Sequence, residues 1–106
     1  MSDPQTQQRT LLSQARAGQV RVTLHGHEEM MAEDIALGEV LEALGSAVVL
    51  EDYPEHRRGP CCLVLGYTKR GRPLHVVCTS SLPALVVITV YEPQPPKWAT
   101  PTQRRG

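Results

Sequence analysis

Two segments in the C-terminal half of the chain combine apolar, β-prone sequence with side chains that can move protons. His75 stands at the centre of PLHVVC, residues 73–78, and ALVVITVY, residues 84–91, carries Thr89 and Tyr91. Alternate residues of a strand face the same side of a sheet, so His75 can share a face with Thr89 and Tyr91 if the strands are neighbours. An imidazole, a hydroxyl and a phenol together suit general acid–base chemistry. The alternative, which the pattern alone favours, is a structural histidine bonded to a neighbouring backbone group.

Basic residues cluster just before the strand of His75 and favour an anionic substrate. Lys69, Arg70 and Arg72 form the turn that leads into it, and Arg57 and Arg58 lie in an earlier loop. Guanidinium groups bind phosphate or carboxylate oxygens through paired hydrogen bonds. We expect four of these residues to contact the substrate: Lys69, Arg70, Arg57 and Arg58.

Two further histidines, His25 and His27, flank Gly26 where a strand gives way to a helix. The start of a helix presents free backbone N–H groups that attract anions, so a histidine there can act beside a phosphate. Two histidines without an HExxH motif or a Cys/His cluster do not predict a metal site. We therefore expect no metal and no cofactor.

The three cysteines, Cys61, Cys62 and Cys78, show neither CxxC spacing nor an even count. Adjacent residues of a strand point to opposite faces, so Cys61 and Cys62 cannot easily share one ion. We interpret all three as small buried hydrophobic residues that belong to no disulfide framework.

Hydrophobic periodicity divides the chain into helices followed by strands. Helical spacing, broken at Asp34, predicts helices over residues 5–17, 26–33 and 37–44. Alternating or β-prone segments predict strands over residues 19–24, 48–53, 61–68, 73–78 and 84–91. Short connections between the last four strands imply antiparallel pairing. The predicted fold class is α+β, with an antiparallel sheet of four to five strands and two to three N-terminal helices packed on one face.

The length of 106 residues supports one modest hydrophobic core. We divide the chain into an N-terminal helical extension (1–18), a single α+β domain (19–98) and a flexible tail (99–106). No window approaches the ~20 apolar residues of a membrane span, and the polar start MSDPQTQQR is no signal peptide. The predicted location is the cytoplasm.

Net charge is zero, but the charges are unevenly distributed. Residues 28–55 hold nine of the eleven acidic residues and no Lys or Arg, whereas residues 56–106 hold eight of the eleven basic residues. This asymmetry predicts an acidic helical face and a basic sheet-and-turn face, although two ordinary solvated surfaces fit equally well. We interpret five carboxylates as the solvated side of the helices: Glu28, Glu29, Glu33, Glu39 and Glu42.

A series of short motifs runs through most of the chain. They are His25, Met30, Ile35, VLEAL (40–44), EDYP (51–54), LVLG (63–66), GRPLHVV (71–77), ITVYEP (88–93) and Trp98. With these motifs, residues 20 to 98 resemble the bacterial and archaeal family called domain of unknown function 4258. GRPLHVV and ITVYEP are the most specific of them.

The resemblance implies a RelE-like α+β fold, related to the barnase, EndoU and colicin ribonucleases. Such enzymes cleave RNA without metal, through attack of the 2′-OH on the adjacent phosphate, and are often toxins with an antitoxin protein as partner. The family motifs would make His25, Arg72, His75, Thr89 and Tyr91 the catalytic site. In one respect the chain departs from the family pattern: Glu29 and Glu33 stand where many members have arginine.

Two functions from different classes follow. The first is a metal-independent ribonuclease of the toxin type, in which His25 and His75 share acid and base roles, Arg72 neutralises the phosphate, and Tyr91 and Thr89 position it. The second is a catalytically inactive binding or regulatory module on the same scaffold. The two glutamates and the near-neutral pI of 6.9 favour it, because proteins that bind RNA through its phosphates are usually more basic. A metal-dependent hydrolase is a weaker third. RNA and an antitoxin protein are the expected partners, and a membrane is not.

Overall fold

The computed structural model describes residues 20–55, 59–79, 85–93, 98–100 and 103–104. Two helices follow a first strand: β1 is Val20–Val22, α1 is Leu24–Glu33 and α2 is Leu37–Gly45. Four strands come next: β2 is Val48–Tyr53, β3 is Cys61–Tyr67, β4 is Pro73–Thr79 and β5 is Leu85–Tyr91. Two short strands, β6 (Trp98–Thr100) and β7 (Gln103–Arg104), pair with each other. The predicted helix over residues 5–17 lies outside the described residues.

Five strands form one sheet in the order β1-β5-β4-β3-β2. The run from β2 to β5 is antiparallel, as predicted, but β1 pairs with β5 in parallel, so the sheet is mixed and the all-antiparallel prediction is wrong. The prediction of antiparallel pairing rests on short turns between consecutive strands, and no short turn connects β1 to its neighbour β5. Both helices separate β1 from β2, and the chain crosses the whole sheet between them. The α+β class itself is confirmed, with two helices in the described part of the chain.

Both helices contribute to one hydrophobic core together with one face of the sheet. Met30, Val40 and Leu44 from the helices belong to the same buried cluster as Val76 and Val87 from the strands. Helix α2 lies so close to β3 that a Cβ on Gly66 would stand 1.9 Å from the carbonyl oxygen of Ala43. Only glycine permits that approach. The core is therefore built on one side of the sheet, which we call the helix side.

The helix boundaries follow from local chemistry. Thr23 precedes α1 in an extended conformation, and its hydroxyl accepts a hydrogen bond from the N–H of Gly26, as an N-terminal cap does. Asp34 ends the helix in the left-handed region at φ 55°, which aspartate tolerates better than most residues. The sequence places this break correctly. The helix start predicted from the sequence, residue 26, is two residues late. The prediction placed Leu24 in the preceding strand and His25 at the junction between strand and helix.

The turn between β3 and β4 is tight. Gly71 adopts φ 85°, where glycine is favoured, and its N–H donates to the carbonyl of Thr68. The turn thus fixes the position of Arg72 at the start of β4. Within the described residues, no helix is both long and apolar enough to cross a bilayer.

Candidate functional site

The sheet brings His75, Tyr91 and Thr89 to one face, as the sequence predicts. His75 lies opposite Tyr91 in the β4–β5 register, and Thr89 lies opposite Val77. The Nδ1 atom of His75 is 3.2 Å from the hydroxyl oxygen of Tyr91, and the two rings meet edge to face. An imidazole and a phenol in this contact can exchange a proton.

This face is the one that turns away from the helices. Val76 and Val90 alternate with His75 and Tyr91 along the strands and belong to the helix-side core, so the pleat sends His75 and Tyr91 in the opposite direction. His75 has an exposed fraction of 0%. A substrate therefore cannot reach the imidazole in this conformation.

His25 lies on helix α1, beside the edge of β5. It is the second residue of α1, whose buried residues Gly26 and Met30 pack on the helix side. Its side chain is 63% exposed, and Nε2 is 3.5 Å from the Oε1 atom of Glu29. His25 is therefore open to solvent, whereas His75 is fully buried on the face away from the helices.

Arg72 contacts four acceptors, two at the end of α1, one on α2 and one just after β5. Its Nε donates to Oε1 of Glu92 at 2.6 Å, and its two terminal nitrogens donate to the carbonyl oxygens of Asp34 (3.1 Å) and Glu33 (2.8 Å). A fourth contact, 3.6 Å long, reaches Oε1 of Glu39. The last carbonyls of a helix lack hydrogen-bond donors within the helix and carry partial negative charge. A guanidinium supplies both the missing donors and a compensating positive charge. Arg72 joins the sheet to the helix layer.

Arg72 and the neighbouring Glu39 each shift the pKa of the other. The hydrogen bond from Arg72 to Glu92 raises the pKa of the guanidinium, helped by the charges of Glu92 and Glu39 and opposed by partial burial. The pKa of Glu39 is lowered, mainly because its carboxylate accepts the backbone N–H of Ala36 and secondly because Arg72 is near. Each charge therefore stabilises the other. The guanidinium N–H groups of Arg72 already donate hydrogen bonds within the protein, so few remain to bind an external phosphate.

A cleft of about 900 Å³ opens beside Arg72, between the end of α1, the start of α2 and the β3–β4 turn. Lys69 and Arg70 line it, as expected of substrate-binding residues. Five carboxylates also line it, so acidic groups outnumber basic ones by five to three: Glu33, Asp34, Glu39, Glu42 and Glu92 against Lys69, Arg70 and Arg72. An anion entering the cleft would meet an excess of negative charge. Arg57 and Arg58, also expected to bind substrate, lie outside the described residues.

The carboxylates of α1 have a structural role that the sequence interpretation missed. Glu29 accepts the backbone N–H of Val90 at 3.1 Å, and Glu33 accepts that of Glu92 at 3.0 Å. Strand β1 pairs with β5 only as far as Val22. Beyond that point, the two carboxylates accept the β5 N–H groups that a neighbouring strand would otherwise bind. Four residues of helix rise about 6 Å and two residues of strand span about 6.6 Å, so the two spacings match. Helix α1 thus covers the open edge of β5.

The interpretation of the five helix glutamates as a solvated face is therefore wrong for Glu29 and Glu33. Glu39 and Glu42 also accept backbone N–H groups, from Ala36 and Lys69. Of the five glutamates, Glu28 is the one that is fully exposed, and it has no such bond among the described contacts. The sequence feature that could have indicated this role is the i, i+4 spacing of Glu29 and Glu33. This spacing places both glutamates on one side of α1, next to the buried Met30.

Within the described residues, no group of three or more His, Cys, Asp or Glu side chains is arranged to hold a metal ion. The family model described as "Domain of unknown function (DUF4258)" matches residues 22–92. No curated protein and no solved structure matches the chain.

Proposed function

The chain belongs to the DUF4258 family, and we propose that this member is a non-catalytic module that binds another protein through the solvent face of helix α1. A metal-independent ribonuclease of the toxin type, which the family resemblance implies, is the competing function. The two functions differ in whether the polar residues expected to be catalytic contact a substrate or contact each other.

The state of the expected catalytic residues supports the binding module. His75 is fully buried, His25 is largely exposed on α1, and Arg72 is occupied by carboxylates and helix carbonyls. General acid–base catalysis needs both groups within hydrogen-bonding reach of one substrate. Cleavage of RNA would require this arrangement to change substantially.

The observation that carries the proposal is an exposed apolar pair on α1. Leu24 is 77% exposed and Met31 is 83% exposed. They stand seven residues apart, which is two helical turns, on the side of α1 opposite the buried Gly26 and Met30. Large apolar side chains held that far into solvent at helical spacing are typical of a surface that a partner covers.

The charge around this pair indicates the chemistry of the partner. Glu28 lies between Leu24 and Met31 on the same exposed face of α1. A complementary partner presents apolar side chains flanked by lysine or arginine. We therefore expect a basic, amphipathic protein segment, with apolar anchors about 10 Å apart to match two turns of α1.

A cleavage assay separates the two functions. The wild-type protein is incubated with pooled cellular RNA and with single-stranded and hairpin oligonucleotides, and 2′,3′-cyclic phosphate ends are quantified beside a His75→Ala variant. We expect no cleavage above background in either sample. Cleavage by the wild type that disappears in His75→Ala would contradict the proposal and establish the ribonuclease.

A binding assay tests the surface itself. Peptides selected from a random displayed library on the immobilised protein should be rich in basic and apolar residues. The Leu24→Gln/Met31→Gln double variant should lose at least about 10-fold in affinity for them, because two anchors lose their apolar contact. Val48→Gln, a matched change at another exposed apolar residue, should leave the affinity within about 2-fold. Equal affinity for the double variant would exclude α1, and a change in its oligomeric state would identify a second copy of the chain as the occupant.

A further inference from the structure

Two of the three cysteines face each other across the centre of the sheet. Cys62 on β3 lies directly opposite Cys78 on β4, and both belong to the helix-side core. Cys61 precedes Cys62, so the pleat directs it to the other face, and it lies outside that core cluster. The fold therefore sorts the three thiols into one pair and one single residue, which their sequence spacing does not show.

The paired thiols meet the geometric conditions for a bond. Directly opposed residues of an antiparallel pair have Cα atoms about 4.5 to 5.5 Å apart, and disulfides need about 4.4 to 6.8 Å. The Cys78 thiol donates a hydrogen bond to the Cys62 sulfur, which lowers the pKa of Cys62, whereas the same bond and burial raise the pKa of Cys78. Cys62 is thus the better nucleophile of the two.

We propose that Cys62 and Cys78 form a reversible intramolecular disulfide when a small-molecule disulfide oxidises them. The Cys62 thiolate attacks one sulfur of the oxidant, and the first oxidant thiolate leaves. The Cys78 sulfur, after losing its proton to solvent, then attacks the Cys62 sulfur of this mixed disulfide and displaces the second oxidant thiolate. Both cysteines lose one electron each, and the oxidant is reduced to two thiols.

Access to the pair runs through the helix layer. Both sulfurs have an exposed fraction of 0%, and β4 is the central strand of the sheet. The oxidant reaches them when α1 or α2 transiently lifts from the sheet, so oxidation should accelerate in urea concentrations below the unfolding transition. Once formed, the bond joins β3 to β4 and closes a loop of residues 62–78.

The test treats the full-length protein with oxidised glutathione, with and without mild urea, and then alkylates the remaining thiols after unfolding. We expect a mass loss of two hydrogen atoms, one alkylated cysteine, and a peptide map that links Cys62 to Cys78. The Tm should rise by about 10 °C and return on reduction, because the closed loop restricts the unfolded chain.

Matched variants keep the proposal falsifiable. Cys61→Ser should form the same disulfide, whereas Cys62→Ala and Cys78→Ala should not, and either of these two suffices if the other fails to fold. Three alkylated cysteines in the wild type under both conditions would overturn the proposal. So would a map that links Cys61 to either partner.

Discussion

The two sides of the sheet use their polar side chains in different ways. On the helix side, the side chains of Arg72, Glu29 and Glu33 bind main-chain groups of other elements and so join helix α1 to the sheet. On the opposite side, His75 and Tyr91 bind each other within the sheet. The first arrangement closes the gaps between elements, and the second satisfies polar groups inside a buried surface.

The difference shows how residues suited to catalysis become structural. An arginine beside helix carbonyls and carboxylates has its N–H groups occupied, and a histidine that is fully buried can be reached by no substrate. Neither condition follows from residue type. Four substitutions, taken from the largest expected effect to the smallest, can break or sharpen this comparison.

Replacing Arg72 should have the largest effect. Arg72→Met removes the donor shared by Glu92 and the last carbonyls of α1, and we expect the free energy of unfolding to fall by about 3 kcal/mol. Urea denaturation measures this loss. Arg70→Met, a change of the same kind at an exposed position in the same turn, should stay within about 0.5 kcal/mol. Equal stability of the two variants would show that Arg72 does not join the helix to the sheet.

Removing both edge carboxylates should cost less. Glu29→Ala/Glu33→Ala leaves the N–H groups of Val90 and Glu92 without their side-chain acceptors, and we expect a loss of about 2 kcal/mol. The corresponding Gln variants keep an acceptor oxygen and should retain most of the stability. Glu28→Ala is the control on the same helix. Hydrogen exchange of the Val90 and Glu92 amides should accelerate in the Ala variant, and unchanged protection there would argue against the edge role.

The pair of buried His75 and half-buried Tyr91 on the opposite side should respond more weakly. Tyr91→Phe removes the hydroxyl that contacts His75 but keeps the ring, so we expect a loss of about 1 kcal/mol by thermal or urea unfolding. Tyr67→Phe, at a tyrosine that is 46% exposed, is the control and should change little. A Tyr91→Phe variant of wild-type stability would mean that the contact contributes nothing to the buried face.

The smallest effect should depend on pH. The folded-state pKa of Glu39 is lowered by the N–H of Ala36 and by Arg72, so its ionised form stabilises the fold at neutral pH. That contribution is lost as the pH falls below about 4 and the carboxyl becomes protonated. Glu39→Gln should therefore be less stable than wild type by about 0.5 kcal/mol near neutral pH, with the difference shrinking toward about pH 2. A difference that grows on acidification would contradict the sign of this linkage.

Several elements could be predicted from the sequence because their determinants are local. The break at Asp34, the turn at Gly71 and the strands around His75 and Tyr91 follow from backbone preferences and periodicity, and the structure confirms them. The shared face of His75, Thr89 and Tyr91 was also predictable once their strands were assumed to be neighbours. Each of these features depends on residues close in sequence or on the two-residue period of a strand.

Other features could not be predicted, because they depend on which elements meet. The parallel pairing of β1 follows from the path of two helices across the sheet, and the acceptors of Arg72 come from residues 20 to 39 positions away. Periodicity shows that Glu29 and Glu33 share a side of α1, but it does not show that an open strand edge lies beside them.

The sequence by itself therefore determined the kind and order of the elements from β1 to β5, the α+β class and the family, since these depend on local preference and on motifs along the chain. The tertiary structure alone decided that β1 joins the sheet in parallel, that His75 is buried on the face away from the helices, and that Cys62 faces Cys78 while Cys61 does not. The physical reason is that the periodicity of a helix or strand fixes the direction of a side chain only relative to other residues of the same element. What lies in that direction is decided when the whole chain packs to bury its apolar surface.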